Sequence, residues 1–512
     1  MTSESAEVPQ STDVLVVGAG PTGLMLANWL QKLGFRVILA DGKAGPTRES
    51  RALGVQSRSM EIYDQLGVID TVLDQAQHAE RVRPGYGKRS FGEVPVGALG
   101  SGLTPYPGIY FLEQSRNERI LVRNLERLGG RVLWDSGLVS LEDSADGVRA
   151  VLSTPGGARR VEARYCVGCD GGSSIVRKLR GIPFLGITNE YTFYVVDAFS
   201  TTGVVGGDVN LRLGETDFLL AFPLKDAVEG RSTHRLIGVL RQAGTADISE
   251  HIVRERLARI FGVAYGESEW FSTYRVHHRV AERFRDGAVF LAGDAGHVHS
   301  PVGAQGMNTG LQDAHNLALK LADVLAGRAG DAFLDRYDAE RRPVAERLIN
   351  STDRVFGLVT SHRLPVRLVR RLLPPLFGPV AVRLLPRLPI SFRLAGYLGQ
   401  LRIHYWMSAG AKAAARGRRG RVVGRRLPWT GVNFDVLREA VWQVHTYGAM
   451  DDAIVDAVGL SLNLPVHRFP AAQDNGLQAG FFYLVRPDGF VAAEAPAHSA
   501  VSVLRGALPA VF

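Results

Sequence analysis

The stretch Asp13-Val14-Leu15-Val16-Val17-Gly18-Ala19-Gly20-Pro21-Thr22-Gly23 governs the reading of the whole chain. Residues 13–17 are a short apolar run with the branched side chains of a buried strand. Three glycines then follow at the spacing of a dinucleotide fingerprint. Gly18 suits the tight turn, Gly20 lets backbone amides approach a pyrophosphate, and Gly23 lets the next helix pack closely on the strand. That helix is expected over 21–33, with Leu24, Ala27, Leu30 and Leu33 at helical spacing and Gly34 suited to end it. A second strand over 36–40 leads to Asp41, an acid placed to take the adenosine ribose hydroxyls. A glycine triplet alone is weak evidence, but strand, turn, helix, strand and terminal acid in this order specify a βαβ nucleotide site.

At 512 residues the chain exceeds what one core supports, so about two to four domains are expected. The composition, 46% hydrophobic and 22% charged, is globular. No apolar run reaches the ~18 residues that cross a bilayer. Residues 1–12 lack the basic-then-apolar layout of a secretory signal, so a cytoplasmic protein with a short disordered N-terminus is expected. The net charge of +9 is local: sixteen Arg and Lys residues and no acid span Arg354 to Phe434, leaving −7 for the remainder. Such a distribution argues against a nucleic-acid partner. Cys166 and Cys169 form a CxxC inside an apolar strand, where residues three apart point to opposite faces. Neither the helix start of a redox dithiol nor further zinc ligands accompany them, so both read as buried thiols.

After Asp41, Arg51 follows the nucleotide unit closely enough to reach a phosphate or a cofactor ring edge. The Gly- and Pro-rich segment 84–107 reads as loops or a hairpin over a cleft. Residues 110–114 read as a strand leading to a helix, and 131–152 as three further strands. Residues 165–169 return to the parallel style and end at Asp170, a position where α/β sheets bind ligands. From 181 to 283 alternating strands, near 191–199, 210–213, 218–224, 234–240 and 270–276, predict a separate antiparallel domain walling a pocket. Tyr194, Phe222, His234 and His278 are candidates to line it. Residues 287–292 resume the first sheet and end at Gly293-Asp294. The helix beyond Asn308 follows Gly303 and Gly306, so its free amides can approach a ligand. His297 and His299 have no third ligand nearby and read as loop residues, so no metal is assigned.

GAGPTG at 18–23, CDGGSSIVR at 169–177 and GDAGHVHSPVGAQGMNTGLQDAHNLALKLA at 293–322 resemble, in order and spacing, the signatures of class A flavoprotein monooxygenases, the para-hydroxybenzoate hydroxylase family. The likeness continues through YDAERRP at 337–343. It implies an α/β fold: a discontinuous, Rossmann-like FAD-binding domain (1–180 and 284–350) with an antiparallel-sheet substrate domain (181–283). A basic helical segment (351–415) and a thioredoxin-like C-terminal domain (416–512) without a CxxC would follow. By the same resemblance Asp294 would bind the flavin ribityl chain, Gln114 would contact FAD, and Asp170 with Arg177 would serve the pyrophosphate region and NADPH. Arg51 would lie near flavin and nicotinamide, while Pro301, Gly306, Met307 and Asn308 would border the isoalloxazine ring; Arg51 and Pro301 are the catalytic candidates. The family usually has two alanines after its Gly-Asp, whereas this chain has Ala295-Gly296.

The resemblance implies FAD, NADPH and O2 as reagents, a flavin C4a-hydroperoxide as oxidant, and a polycyclic aromatic natural product as substrate. Hydroxylation is expected, with Baeyer–Villiger insertion and drug inactivation, as by rifamycin- or tetracycline-modifying relatives, left open. A halogenase would show Trp-x-Trp-x-x-Pro, which is absent. A membrane-associated quinone-ring hydroxylase finds support in Arg363, Arg367, Arg370 and Arg371 opposite Leu364, Leu368 and Leu372. The prolines between 365 and 389 predict short helical pieces and favour a packed cluster over a membrane surface. A FAD-containing binding protein is the non-enzymatic alternative. A homodimer is compatible with all of these.

Overall fold

A computed structural model describes residues 9–47, 52–215, 217–225, 233–241, 248–299, 305–360, 364–384, 390–405 and 422–509. The strand Ser11–Val17 runs through the middle of an eight-stranded sheet, with Val37–Ala40 parallel on one side and Gly157–Gly168 parallel on the other. Gly157–Gly168 is long enough for two tasks. Its first half closes an antiparallel meander with Gly147–Thr154 and Gly137–Ser144, and its last residues pair in parallel with Val289–Leu291. The helix Pro21–Lys32 ends as expected, with Gly34 at φ +86°. It is buried on nearly all sides, because it lies between the sheet and the helices Gln114–Arg127 and Gly306–Leu325. Such burial requires its one polar mid-helix residue to be satisfied: Asn28 donates to the carbonyls of Leu24 (2.8 Å) and Leu121 (2.9 Å) and accepts from Asn124 (2.7 Å).

The alternating strands predicted after 181 form a nine-stranded sheet, built on Phe184–Phe199, Ser268–Ala281, Thr233–Arg241, Phe218–Pro223 and Val209–Leu213. It also recruits Arg81–Tyr86, parallel to Val209–Leu213, with its hairpin partners Arg89–Ser90 and Val94–Pro95. The Gly- and Pro-rich stretch expected as loops or a hairpin is therefore partly sheet. Edge strands tolerate proline where no ladder donor is needed. The two faces differ as strand alternation requires. Tyr194, Val196, Leu219 and Leu236 pack outward under the helix Glu250–Arg256 and its continuation Leu257–Phe261. Phe193, Val195, Ile237 and Val239 point the other way, with half-buried Phe222, Trp270 and Tyr274. That second face meets the first body: Phe222 packs on Phe111 with ring centroids 5.0 Å apart, and Arg235 lies 3.6 Å from Glu113.

Within 364–384 the prolines do not break the helix as expected; Pro386 and Pro389 lie outside the described residues. Leu364–Leu384 is one helix that continues through Pro374, Pro375 and Pro379. Each proline costs a backbone hydrogen bond, but packing holds the helix: Gly378 sits so close to the Phe91 ring that a Cβ would overlap it, and Val382 is buried beside Gly92. Farther on, Gln443–Tyr447 and Val466–Phe469 are parallel, joined by the helix Asp452–Leu462, and Phe481–Val485 and Val491–Pro496 complete a four-stranded sheet. The turn after Val485 inserts into the first body. Arg486 pairs with Glu340 (2.7 Å) and Asp488 (2.8 Å), Glu340 pairs with Lys320 (2.7 Å), and Arg58 donates to the Asp488 carbonyl (2.7 Å). Burial lowers the Lys320 ammonium to about 8, with Glu340 opposing that shift.

Candidate cofactor and substrate site

Four parallel strands end level with one another. Val17 stands opposite both Gly168 and Ala40, and Gly168 stands opposite Leu291. The turns 18–23, 169–172 and 292–296, together with Asp41, therefore emerge at one sheet edge, the edge at which α/β proteins bind ligands. They touch. A Cβ on Gly18, whose φ is +103°, would lie 2.5 Å from the Cys169 carbonyl oxygen, and a Cβ on Gly23 would overlap the Gly18 carbonyl oxygen. Gly293 (φ +60°) and Gly310 both leave room only for Thr22, so the fingerprint helix, the Gly-Asp turn and the helix Gly306–Leu325 meet at that threonine.

Among the glycines of these turns Gly171 and Gly20 are open, and of the two it is Gly20 that lies in the fingerprint. Its backbone is extended (φ −79°), and no atom lies within 4 Å of its Cβ position. A cradle whose amides are approached only from open space fits a dinucleotide pyrophosphate. The helix Gly306–Leu325 adds a positive dipole end, with no acidic side chain in its first turn. Asn308 fixes that helix start: its Oδ1 accepts from the Gln56 amide (2.9 Å) and Ser59 Oγ (2.7 Å), and its Nδ2 donates to the Gly54 carbonyl (2.8 Å). Met307 accepts from Asn117 through its sulfur (3.5 Å). Asp294 is exposed at the end of its strand.

Other expected residues are engaged by the protein itself. Asp41 accepts from the Ala19 amide (2.6 Å) and the Lys43 amide (2.8 Å), closing its own turn. Asp170 caps the helix Ile175–Leu179 by accepting from the Ile175 (2.6 Å) and Val176 (3.1 Å) amides. Arg177 is buried, donating to the carbonyls of Ala295 and Gly172, both at 2.8 Å, with its guanidinium 3.8 Å from the centre of the Phe184 ring. It thus ties the 169–172 turn to the 292–296 turn. Gln114 donates to Glu118 (2.9 Å), which accepts from the Thr47 amide (2.8 Å). Arg51 and Pro301 lie outside the described residues.

Beneath the Gly-Asp turn lies a charge cluster that the motif reading passed over. Asp313, fully buried, accepts from Arg341 Nε (2.7 Å), His297 Nε2 (2.7 Å) and the Gly293 amide (3.2 Å). Burial would push this carboxyl up, but Arg341 and His297 hold it below the usual carboxylate range. His297 is therefore part of the turn's foundation rather than a loop residue. A signal existed: Asp313 shares the buried helix face with Gly310 and Leu317, where an acid needs partners. Thr22 carried no such signal.

On the facing sheet, Arg235 is fully buried, bidentate to Asp197 (2.6 and 2.7 Å) and 5.7 Å from the Trp270 ring. Beside it Phe193 and Tyr274 stack, centroids 5.7 Å apart. Of the four pocket candidates, Phe222 shares this face. Tyr194 points outward, and so does His234, bonded to Thr201. His278 is buried. Both cysteines are free and buried, and burial pushes their thiols up, which leaves them inert.

Residues 11–352 match the family described as FAD binding domain. The chain is 37% identical over 350 residues to the 12-dehydrotetracycline 5-monooxygenase/anhydrotetracycline 6-monooxygenase of Streptomyces rimosus, covering 66% of this chain and 68% of that one. It is 31% identical over 490 residues to a flavin-dependent monooxygenase of Mycobacteroides abscessus, covering 93% and 96%. Among solved structures, an anhydrotetracycline hydroxylase from Streptomyces rimosus superposes with a TM-score of 0.74 at 30% identity, over 97% of this chain and 98% of that one. Turns converging on an open glycine-lined cradle and relatives of this kind agree: the chain belongs to the FAD-binding family of flavin-dependent monooxygenases, with FAD as its cofactor.

Proposed function

We propose that the protein is an NADPH-dependent hydroxylase of a polycyclic aromatic compound, seated between the aromatic inner face of the nine-stranded sheet and the edge where the four parallel strands end. The observation that carries this reading is the direct opposition of the two surfaces. Phe222 and Arg235 of the sheet reach Phe111 and Glu113, which stand next to Gln114. Flat rings such as Phe193, Tyr274 and Trp270 suit a flat polycyclic ligand. Tetracycline-modifying relatives act on molecules of that shape, which supports the same substrate class here.

When bound and reduced, FAD supplies the activation of dioxygen. The chain's own residues supply placement. The Gly20 backbone would receive the pyrophosphate, Asp294 the ribityl chain, and the amides of Gly306, Met307 and Asn308 would face the ring, where their dipoles favour negative charge. Gln114 would contact the cofactor. Asp170 and Arg177 would serve the pyrophosphate and NADPH region chiefly by fixing the turns around it. Arg51 and Pro301 are assigned to the ring edge on sequence resemblance. No second fingerprint occurs in the sequence, which supports transient docking of NADPH on the FAD-binding body. The parallel pair, crossover helix and antiparallel pair after 443 support a thioredoxin-like C-terminal unit in a packing role.

The test is NADPH consumption by the FAD-loaded protein across a panel of polycyclic phenols, anthraquinones, rifamycins and tetracyclines. Many-fold stimulation by one class is the expected result. Flavin that NADPH never reduces, with or without these compounds, would overturn the reading.

A further inference from the structure

The helix Leu364–Leu384 is mounted with its polarity reversed. Its protein side carries two of its four arginines: Arg370 is buried, and Arg367 pairs with Glu215 at 2.6 Å. Its solvent side carries Leu368, Leu372, Leu373, Leu376, Phe377 and Val380, all exposed, with Leu376 at 66% and Phe377 at 61%. Residues at these spacings share one broad helix face. Single exposed leucines need no explanation, but a contiguous apolar face along roughly three to four turns marks a surface that meets something.

Charge selects the occupant. The helix contains four arginines and no acid, and the surrounding sequence from Arg354 to Phe434 has none either. Exposed Arg371 and Arg383 flank the apolar face. A second copy would set these cations against their equivalents, since a two-fold contact presents the same patch twice. An anionic bilayer surface takes up both features at once, the apolar side chains at the acyl boundary and the arginines among the headgroups. No helix among the described residues is long and apolar enough to cross a membrane, so an in-plane seat is the geometry left. We propose that Leu364–Leu384 docks this protein, apolar face down, on a membrane surface rich in anionic lipid.

The test is co-sedimentation of the full-length, FAD-loaded protein with phosphatidylglycerol/phosphatidylcholine vesicles and with phosphatidylcholine vesicles alone, alongside its solution mass. Binding to the anionic vesicles that weakens with added salt is expected. L376E/F377E should weaken it about tenfold or more, and R371E/R383E several-fold, each with an unchanged flavin spectrum and unfolding midpoint. Absence of binding to anionic vesicles would overturn the proposal. So would binding that both double variants leave intact, or a wild-type dimer that L376E/F377E splits into monomers without vesicle binding; that last outcome assigns the face to a second copy.

Discussion

Gly20→Ala should leave the fold intact and weaken FAD binding. The native backbone at Gly20, φ −79° and ψ −177°, is open to alanine, and no protein atom lies within 4 Å of the added methyl. The apoprotein should therefore change by no more than about 0.5–1 kcal/mol, in the stabilising direction if the unfolded chain loses freedom. On the proposed assignment, the methyl fills the space from which the FAD pyrophosphate would meet the backbone. Loss of one hydrogen bond to a charged group, about 1.5–3 kcal/mol, weakens FAD binding roughly 10- to 150-fold. Gly23→Ala should behave in the opposite way. Its Cβ would overlap the Gly18 carbonyl oxygen and stand 3.2 Å from Cys169 Cβ, so the helix must lift off the strand, at about 1–3 kcal/mol or more of apoprotein stability. Urea unfolding of the FAD-free protein and a flavin-fluorescence titration separate the two effects. A Gly20→Ala protein that binds FAD within about threefold of wild type would refute the assignment of that open space to the cofactor.

Three further outcomes follow from the buried charges. Glu340→Gln leaves Lys320 and Arg486 without their shared carboxylate, so unfolding stability should drop by about 3–5 kcal/mol, with faster proteolysis near the seam in a limited-digestion time course; an unchanged urea midpoint would contradict the network's role. Asp313→Asn removes the anion between Arg341 and His297 and weakens the anchor of the Gly293 amide; about 3 kcal/mol of stability should go, and FAD should dissociate faster in stopped-flow release, whereas stability loss with unaltered release would limit Asp313 to the core. His445 is lowered to about 3 by burial, assisted by nearby His467. Between that value and the ordinary imidazole value only the unfolded chain takes up the proton, so this residue contributes a loss of up to about 1.4 kcal/mol per pH unit as pH falls below ~6.5. His445→Gln should flatten the acid side of a stability–pH curve measured in urea; an unchanged slope would place the proton uptake elsewhere.

The sequence was legible where one local rule specified one structure. The fingerprint from Ser11 to Ala40 needs only strand alternation, glycine conformations and helical spacing, and it folds with its helix ending one residue before the predicted position. The strands after 181 were readable because each alternates; the recruitment of Arg81–Tyr86 was not, because its Pro84 and Gly85 obscure the pattern and its partner lies more than a hundred residues away. Proline rules predict breaks at Pro374, Pro375 and Pro379, yet tertiary packing against Phe91 outweighs their three missing hydrogen bonds. At the site, glycines announced themselves, whereas Asp313, His297 and Arg341 come from three separate segments and are joined only by folding. Thr22 matters through the absence of space around it, which no residue type encodes.

On the function proposed here, the FAD-loaded chain inserts one oxygen atom of dioxygen into an aromatic substrate. Isotope-labelled dioxygen tests it most directly: the FAD-loaded protein, NADPH and the compound that best stimulates NADPH oxidation, with the product analysed by mass spectrometry. The expected product carries one labelled oxygen atom and forms only with NADPH present. NADPH oxidation that yields hydrogen peroxide and returns every panel compound unchanged would contradict it.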